Sequence, residues 1–116
     1  MGVYDELTIF REFADDGIWR GVLLDISAPM CNAVIQFCRR NEVAIIGVDG
    51  FRITNKETVP LLDRIADFSE VLRKYSSWPK VVDRTCWLAD KFLMADNSVT
   101  LHYEFVFYFH HEWKRP

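Results

Sequence analysis

The chain has 116 residues, half of them apolar and 15% aromatic, and carries a net charge of −3. That length holds one domain, with enough apolar residues for a core. Residues 1–70 carry twelve Asp/Glu against seven Lys/Arg and residues 71–116 five against seven, a balance that argues against a phosphate-neutralising nucleic-acid binder, and no stretch approaches the roughly 18 apolar residues of a membrane span.

Asp5 to Asp15 reads as a helix, with Leu7, Phe10 and Ala14 at steps of three and four, Phe13 widening the stripe and Gly17 as the stop. Trp19 to Ile26 (WRGVLLDI) fits either a loop or a short strand. Ser27 to Arg40 reads as a second helix, capped by Ser27, with Pro29 in the first turn. Met30, Ala33, Val34, Phe37 and Cys38 form its apolar stripe, and Arg39 and Arg40 complement its dipole.

Val43 to Val48 is apolar and β-branched, the pattern of a buried strand. Asp49-Gly50 follows as a two-residue hairpin signal, with Phe51 to Thr54 returning. The alternative is a loop in which Phe51 plugs the core. After a polar connection, Pro60 opens a helix expected to reach Tyr75, because Leu61, Ile65, Phe68, Leu72 and Tyr75 step by 4, 3, 4 and 3. Asp63, Asp67 and Glu70 then stack at i, i+4 and i+7 on its outer side.

Ser76 to Trp78 interrupts, and Pro79 to Ala95 reads as another helix with Val82, Cys86, Ala89 and Leu93 inward and Asp96-Asn97 at its end. Ser98 to His110 alternates strictly: Val99, Leu101, Tyr103, Phe105, Phe107 and Phe109 on one face, Thr100, His102, Glu104, Val106, Tyr108 and His110 on the other. Near Val106 both faces are apolar, so a central, covered strand is expected there. The tail from His111 to Pro116 is polar and expected to fray. There is no internal repeat, low-complexity segment or linker. The expected architecture is one α+β domain over residues 1–116, with about four helices packed on a small, mainly antiparallel sheet and a long C-terminal strand.

The chemistry-bearing residues form no catalytic signature. Cys31, Cys38 and Cys86 are odd in number and lack CxxC spacing. On a helix Cys31 and Cys38 would sit about 10 Å apart, too far for a disulfide, so reduced core thiols in a cytoplasmic protein are expected. Met1-Gly2 lacks the Ser or Thr of a myristoylation signal, and the acidic start lacks a leader's basic residues. His102 and Glu104, about 7 Å apart at strand spacing, have no third ligand supplied by a motif, so no metal or other cofactor is expected. GVDG (Gly47 to Gly50) lacks the spacing of a phosphate loop. Asp15-Asp16 and Asp63 with Asp67 are acid pairs better suited to a solvated or partner-binding face than to catalysis.

VAIIGVDGF, a short polar connection and then VPLLDRIADFS resembles a pattern of small bacterial immunity proteins, including those paired with contact-dependent growth inhibition toxins and other polymorphic toxins. The resemblance covers about a quarter of the chain and rests mostly on structural residues, so it transfers no functional residue. It implies a cytoplasmic, non-enzymatic protein that binds and neutralises the C-terminal domain of a cognate toxin, commonly a nuclease with a basic active site. Charge and hydropathy lead us to expect neither a nucleic-acid nor a membrane partner, and a monomer or weak homodimer is expected. An acidic surface would steer such an association, and exposed aromatics would anchor it. The candidate contact residues are Asp63, Asp67 and Glu70, with Asp49, Phe51, Asp15 and Asp16 as lesser candidates. The competing readings are a non-catalytic regulatory or adaptor domain for another bacterial protein, and a small enzyme using Cys86 or the histidines.

Overall fold

A computed structural model describes residues 3–93 and 98–114. The chain runs α1 (Glu6–Glu12), β1 (Gly17–Arg20), β2 (Leu23–Ser27), α2 (Cys31–Arg40), β3 (Ala44–Ile53), β4 (Thr58–Asp67), α3 (Val71–Lys74), α4 (Trp78–Leu93) and β5 (Leu101–Tyr108), with 3-10 turns at Ala28–Met30 and His110–Glu112. The five strands form one antiparallel sheet in the order β1-β2-β5-β3-β4, and the α+β class expected from sequence holds. The expected helix end at Ala95 with Asp96-Asn97, the Met1-Gly2 start and the Arg115-Pro116 tail end lie outside the described residues.

The helices follow their sequence signals with small changes of boundary. Asp5 caps α1, its Oδ1 accepting the Thr8 N–H at 3.1 Å, and α1 ends at Glu12 rather than Asp15. Ser27 does not cap a helix; its hydroxyl donates to the Asp16 carbonyl at 3.0 Å and ties β2 to the segment before β1. Trp19 to Ile26 resolves into the β1–β2 hairpin, in which Arg20 faces Leu23 across Gly21-Val22. Gly21 has φ +63°, the left-handed conformation that tight hairpins favour at this position.

Two expectations fail around β3 and β4. The chain does not turn at Asp49-Gly50. β3 runs straight through to Ile53 and turns at Thr54–Glu57, where the Thr54 hydroxyl accepts the Lys56 and Glu57 N–H groups at 3.3 Å each. Gly50 is needed for close approach instead, because a Cβ there would lie 3.0 Å from the Tyr103 ring and 2.5 Å from the Arg64 Cβ. The segment from Pro60 is not a helix. Thr58 to Asp67 is an edge strand, and only Val71–Lys74 makes a short helical turn. Pro60 is compatible with an edge, where a ladder N–H is dispensable. β4 is bulged: Asp49 faces Ile65 while Phe51 faces Pro60, so four residues of β4 span one of β3.

The helices pack on one face of the sheet. Leu24, Ile26, Val48, Tyr103 and Phe105 are buried there beneath Val34, Ile35 and Cys38 of α2 and Val81, Val82, Thr85, Cys86 and Ala89 of α4. A second bulge, between Ile45 and Gly47 of β3, is served by Thr85, whose hydroxyl accepts the Ile45 N–H at 3.2 Å inside this core. The described part of the tail, residues 111–114, is tied to the body of the domain. Trp113 donates its indole N–H to the Leu72 carbonyl at 2.9 Å, and Trp78, His110 and Trp113 cluster, the first two stacked at 5.1 Å. Among the described residues no helix covers the opposite face of the sheet.

Candidate functional site

The registers of the five strands define which side chains share the uncovered face. One row across it holds Ser27 (β2), His102 (β5), Phe51 (β3) and Pro60 (β4). Glu104, Asp49 and Ile65 form the next row, and Val106, Gly47 and Asp67 the one after. Ile18 faces Asp25 on the β1–β2 side. The central strand β5 is therefore not covered on both sides as expected: Val106 is 39% exposed and shares this face with Ile65 at 49% and Ile18 at 42%.

The half of this face on the β1–β2 side is sealed by one side chain. Arg20 reaches inward from β1 and grips Asp25 with two bonds, Nε to Oδ2 at 2.8 Å and Nη2 to Oδ1 at 3.2 Å. The same Nη2 donates to Glu104 Oε1 at 2.7 Å. The guanidinium lies 4.3 Å over the Phe51 ring, a cation–π contact that also packs the arginine stem. Asp25 is completely buried, and His102 is 5% exposed with Nδ1 3.3 Å from the Thr100 carbonyl oxygen. The hydrogen bonds that Arg20 donates to Asp25, opposed by burial and aided by Glu104, raise the Arg20 pKa above its ordinary value.

The half on the β4 side is open. Gly47 sits between Asp67 on β4 and Val106 on β5, and its missing side chain leaves a hollow. A Cβ there would lie 3.6 Å from Val106 Cγ2 and 3.2 Å from the Ala66 carbonyl oxygen. The hollow, about 320 Å³, is lined by Ile46, Gly47, Ile65, Ala66 and Val106, with Asp49, Asp67 and Ser69 at its rim. Asp49 and Asp67 are diagonal neighbours, roughly 7–8 Å apart. Asp67 Oδ1 accepts the Ser69 N–H at 2.8 Å. The Ser69 side chain and backbone together hold its carboxyl below the ordinary carboxylate value. Among the described residues no cation forms an ion pair with Asp49 or Asp67.

The structure redistributes the residues singled out from sequence. Asp67 and Asp49 meet on the open half. Phe51 shares the face but lies beneath Arg20, so its role there is packing. Asp63 falls in the β4 bulge, exposed, at a separate recess with Arg52, Arg64, Ser98 and Thr100. Glu70 precedes α3 and sits 3.9 Å from Lys74. Asp15 and Asp16 lie between α1 and β1, away from β4. The helical stack of Asp63, Asp67 and Glu70 does not exist, because the residues belong to a bulged strand and the turn after it. Arg20, Asp25, Glu104 and Val106 were missed as a set. Period-two alternation had placed Glu104 and Val106 on one face of β5, and only the strand order brings Arg20 and Asp25 to them.

The remaining reactive groups are enclosed or scattered. All three cysteines are buried, and none bridges another. Burial pushes the Cys86 thiol up to about 12, partly offset by Arg39, and raises Cys38 well above its ordinary value. Both are protonated at neutral pH and inert as nucleophiles. Among the described residues no three His, Cys, Asp or Glu side chains converge in a metal-binding group, and no helix is long and apolar enough to cross a membrane. A groove of about 430 Å³ between Tyr4, Asn41, Glu42, His110 and His111 adjoins the end of α2. Glu42 there has φ +55° and occupies the position after the helix cap where glycine is favoured. The Val43 N–H reaches the Cys38 carbonyl at 2.9 Å and the Glu42 N–H the Arg39 carbonyl at 3.4 Å, which closes the helix end. No protein-family model, no curated protein and no solved structure matches the chain.

Proposed function

We propose that the chain is a binding protein of the immunity type, which docks the open half of its sheet face on a basic protein, a cognate toxin domain, and neutralises it. The observation that carries this reading is the combination on one face of exposed Ile65 and Val106 with Asp49 and Asp67, two carboxylates that form no ion pair among the described residues. A face that leaves its charges unpaired has electrostatic attraction to offer a partner. Apolar side chains in the middle of the patch supply area that association removes from water. The protonated, enclosed state of Cys86 supports binding over thiol catalysis. The resemblance to immunity proteins supports a toxin domain as the partner, a nuclease being the commonest kind. The contact surface proposed is thus Asp49, Asp67, Ile65 and Val106, with Asp63 on the adjoining edge.

The test takes the C-terminal domain encoded immediately upstream of this gene. We expect it to arrest growth when expressed alone, to be rescued by this chain, and to bind it tightly in calorimetry. Asp49→Lys with Asp67→Lys is expected to slow association and weaken affinity at least about tenfold. Equal affinity and equal on-rate in that double variant would remove the open face from the account.

A further inference from the structure

The hollow at Gly47 is shaped for one kind of side chain. Its floor is the bare backbone of Gly47, its walls are Val106 and Ile65, and its rim carries Asp49 and Asp67. Apolar walls around a floor without a side chain suit an unbranched aliphatic stem. Two carboxylates on the same side suit a cationic head at the end of that stem. Lysine and arginine have this build, an apolar stem that packs on hydrocarbon with a charged tip that stays near water. The neighbouring half of the face already shows the arrangement from within the chain. Arg20 lays its stem across the sheet and its guanidinium between Asp25 and Glu104, above Phe51. On the Gly47 side the carboxylates and apolar walls are present, and among the described residues no cation joins them.

We infer that the Gly47 hollow is the anchor pocket of the docking face and takes a lysine or arginine side chain of the protein partner, its stem between Val106 and Ile65 and its head between Asp49 and Asp67. This inference rests on the docking reading above and gives that reading a single residue type at the centre of the contact. The Ser69 bonds hold the Asp67 carboxyl below its ordinary value. Among the described residues neither carboxylate has a cation to give up, and the Ser69 bond to Asp67 leaves acceptor positions for the arriving head.

The probe is N-acetyl-lysine methylamide, titrated into the full chain labelled with ¹⁵N. N-acetyl-norleucine methylamide (stem without charge) and methylammonium (charge without stem) serve as comparisons. The lysine probe is expected to give saturable shifts confined to the amides of Gly47, Ile65, Ala66, Asp67 and Val106, with both comparison compounds binding several-fold more weakly. Asp67→Asn, which keeps an acceptor for Ser69, is expected to weaken the probe about fivefold. Gly47→Ala is expected to exclude it while leaving the rest of the spectrum in place. Equal response to norleucine, or shifts spread over all surface carboxylates and unchanged by Asp67→Asn, would overturn the pocket. A pocket that fails this titration while Asp49→Lys with Asp67→Lys still weakens the toxin-domain complex loses the anchor and keeps the docking face. A lysine-specific pocket whose charge-reversed variant binds the toxin domain unchanged keeps the site and loses the docking face.

Discussion

The two halves of the uncovered sheet face hold the same ingredients in opposite states. On the β1–β2 side a buried carboxylate, a half-buried one and an aromatic ring are closed over by Arg20. On the β4 side two carboxylates and two aliphatic side chains surround a hollow that no cation among the described residues enters. The first half is complete within the chain, and its removal should be felt in folding. The second half is incomplete within the chain, and its removal should be felt in association. A face can therefore be acidic for two unrelated reasons, and composition alone does not separate them.

The largest expected effect tests the sealed half. Arg20→Met keeps the stem over Phe51 and deletes the charge, so Asp25 is left buried and uncompensated. Because Arg20 is itself about one-third exposed, the loss should fall near the lower end of the range for broken buried pairs, about 3 kcal/mol. It is read as a shift in urea midpoint at constant slope. Adding Asp25→Leu should recover most of it, since an apolar pair of similar size replaces the ion pair. A single variant as stable as the parent would mean that the strap contributes no more than a surface pair.

Next in size is Glu42→Gly, outside both halves. It relieves a left-handed residue at the end of α2 and should raise stability by about 1 kcal/mol, visible as a higher melting temperature. The open half should respond least. Asp49→Asn with Asp67→Asn is expected to change stability by less than about 0.5 kcal/mol, in contrast to Arg20→Met. A loss comparable to that of Arg20→Met would erase the difference between the halves.

The smallest effect concerns pH. The Asp67 carboxyl has a folded pKa below its ordinary 3.8. The stabilisation from its Ser69 bonds is therefore fully present above that ordinary value and is lost as pH falls through the lowered one. Carboxyl NMR should place the Asp67 midpoint below 3.8, and Ser69→Ala should move it upward. A midpoint unmoved by Ser69→Ala would assign the shift to another cause.

Much of the architecture was legible because local signals and burial agreed. α2, α4, the strand beginning at Val43 and the alternating strand β5 all appear where periodicity placed them, within a few residues. β4 was not legible, and the reason lies in its bulge. Val59, Leu61, Arg64, Ala66 and Phe68 are its half-buried positions, and a strand that slips parity between Leu61 and Arg64 gives spacings of two and three. Superposed on Leu72 and Tyr75, these mimic a helical stripe, and Pro60 reads equally well as a helix start or an edge-strand residue. Asp49-Gly50 misled for a related reason. A glycine required by the packing of Tyr103 and Arg64 looks the same in sequence as a glycine required by a turn. The site was half legible: Asp49 and Asp67 were singled out as acids, but Gly47, Ile65 and Val106 join them only through the pairing of β3 with β4 and β5.

The bulge and proline of β4 have one more consequence. β4 is a ten-residue strand at the rim of the sheet, with Leu62 85% exposed and Ile65 beside it. A flat strand of that length and composition would offer a continuous ladder of free amides to any other chain, the usual route to fibrous self-association. Pro60 removes one donor from that ladder, and the four-residue bulge bends the rest out of line. The irregularity that disguises β4 as a helix in the sequence thus also breaks the regular ladder along which such a border could pair edge to edge with another sheet.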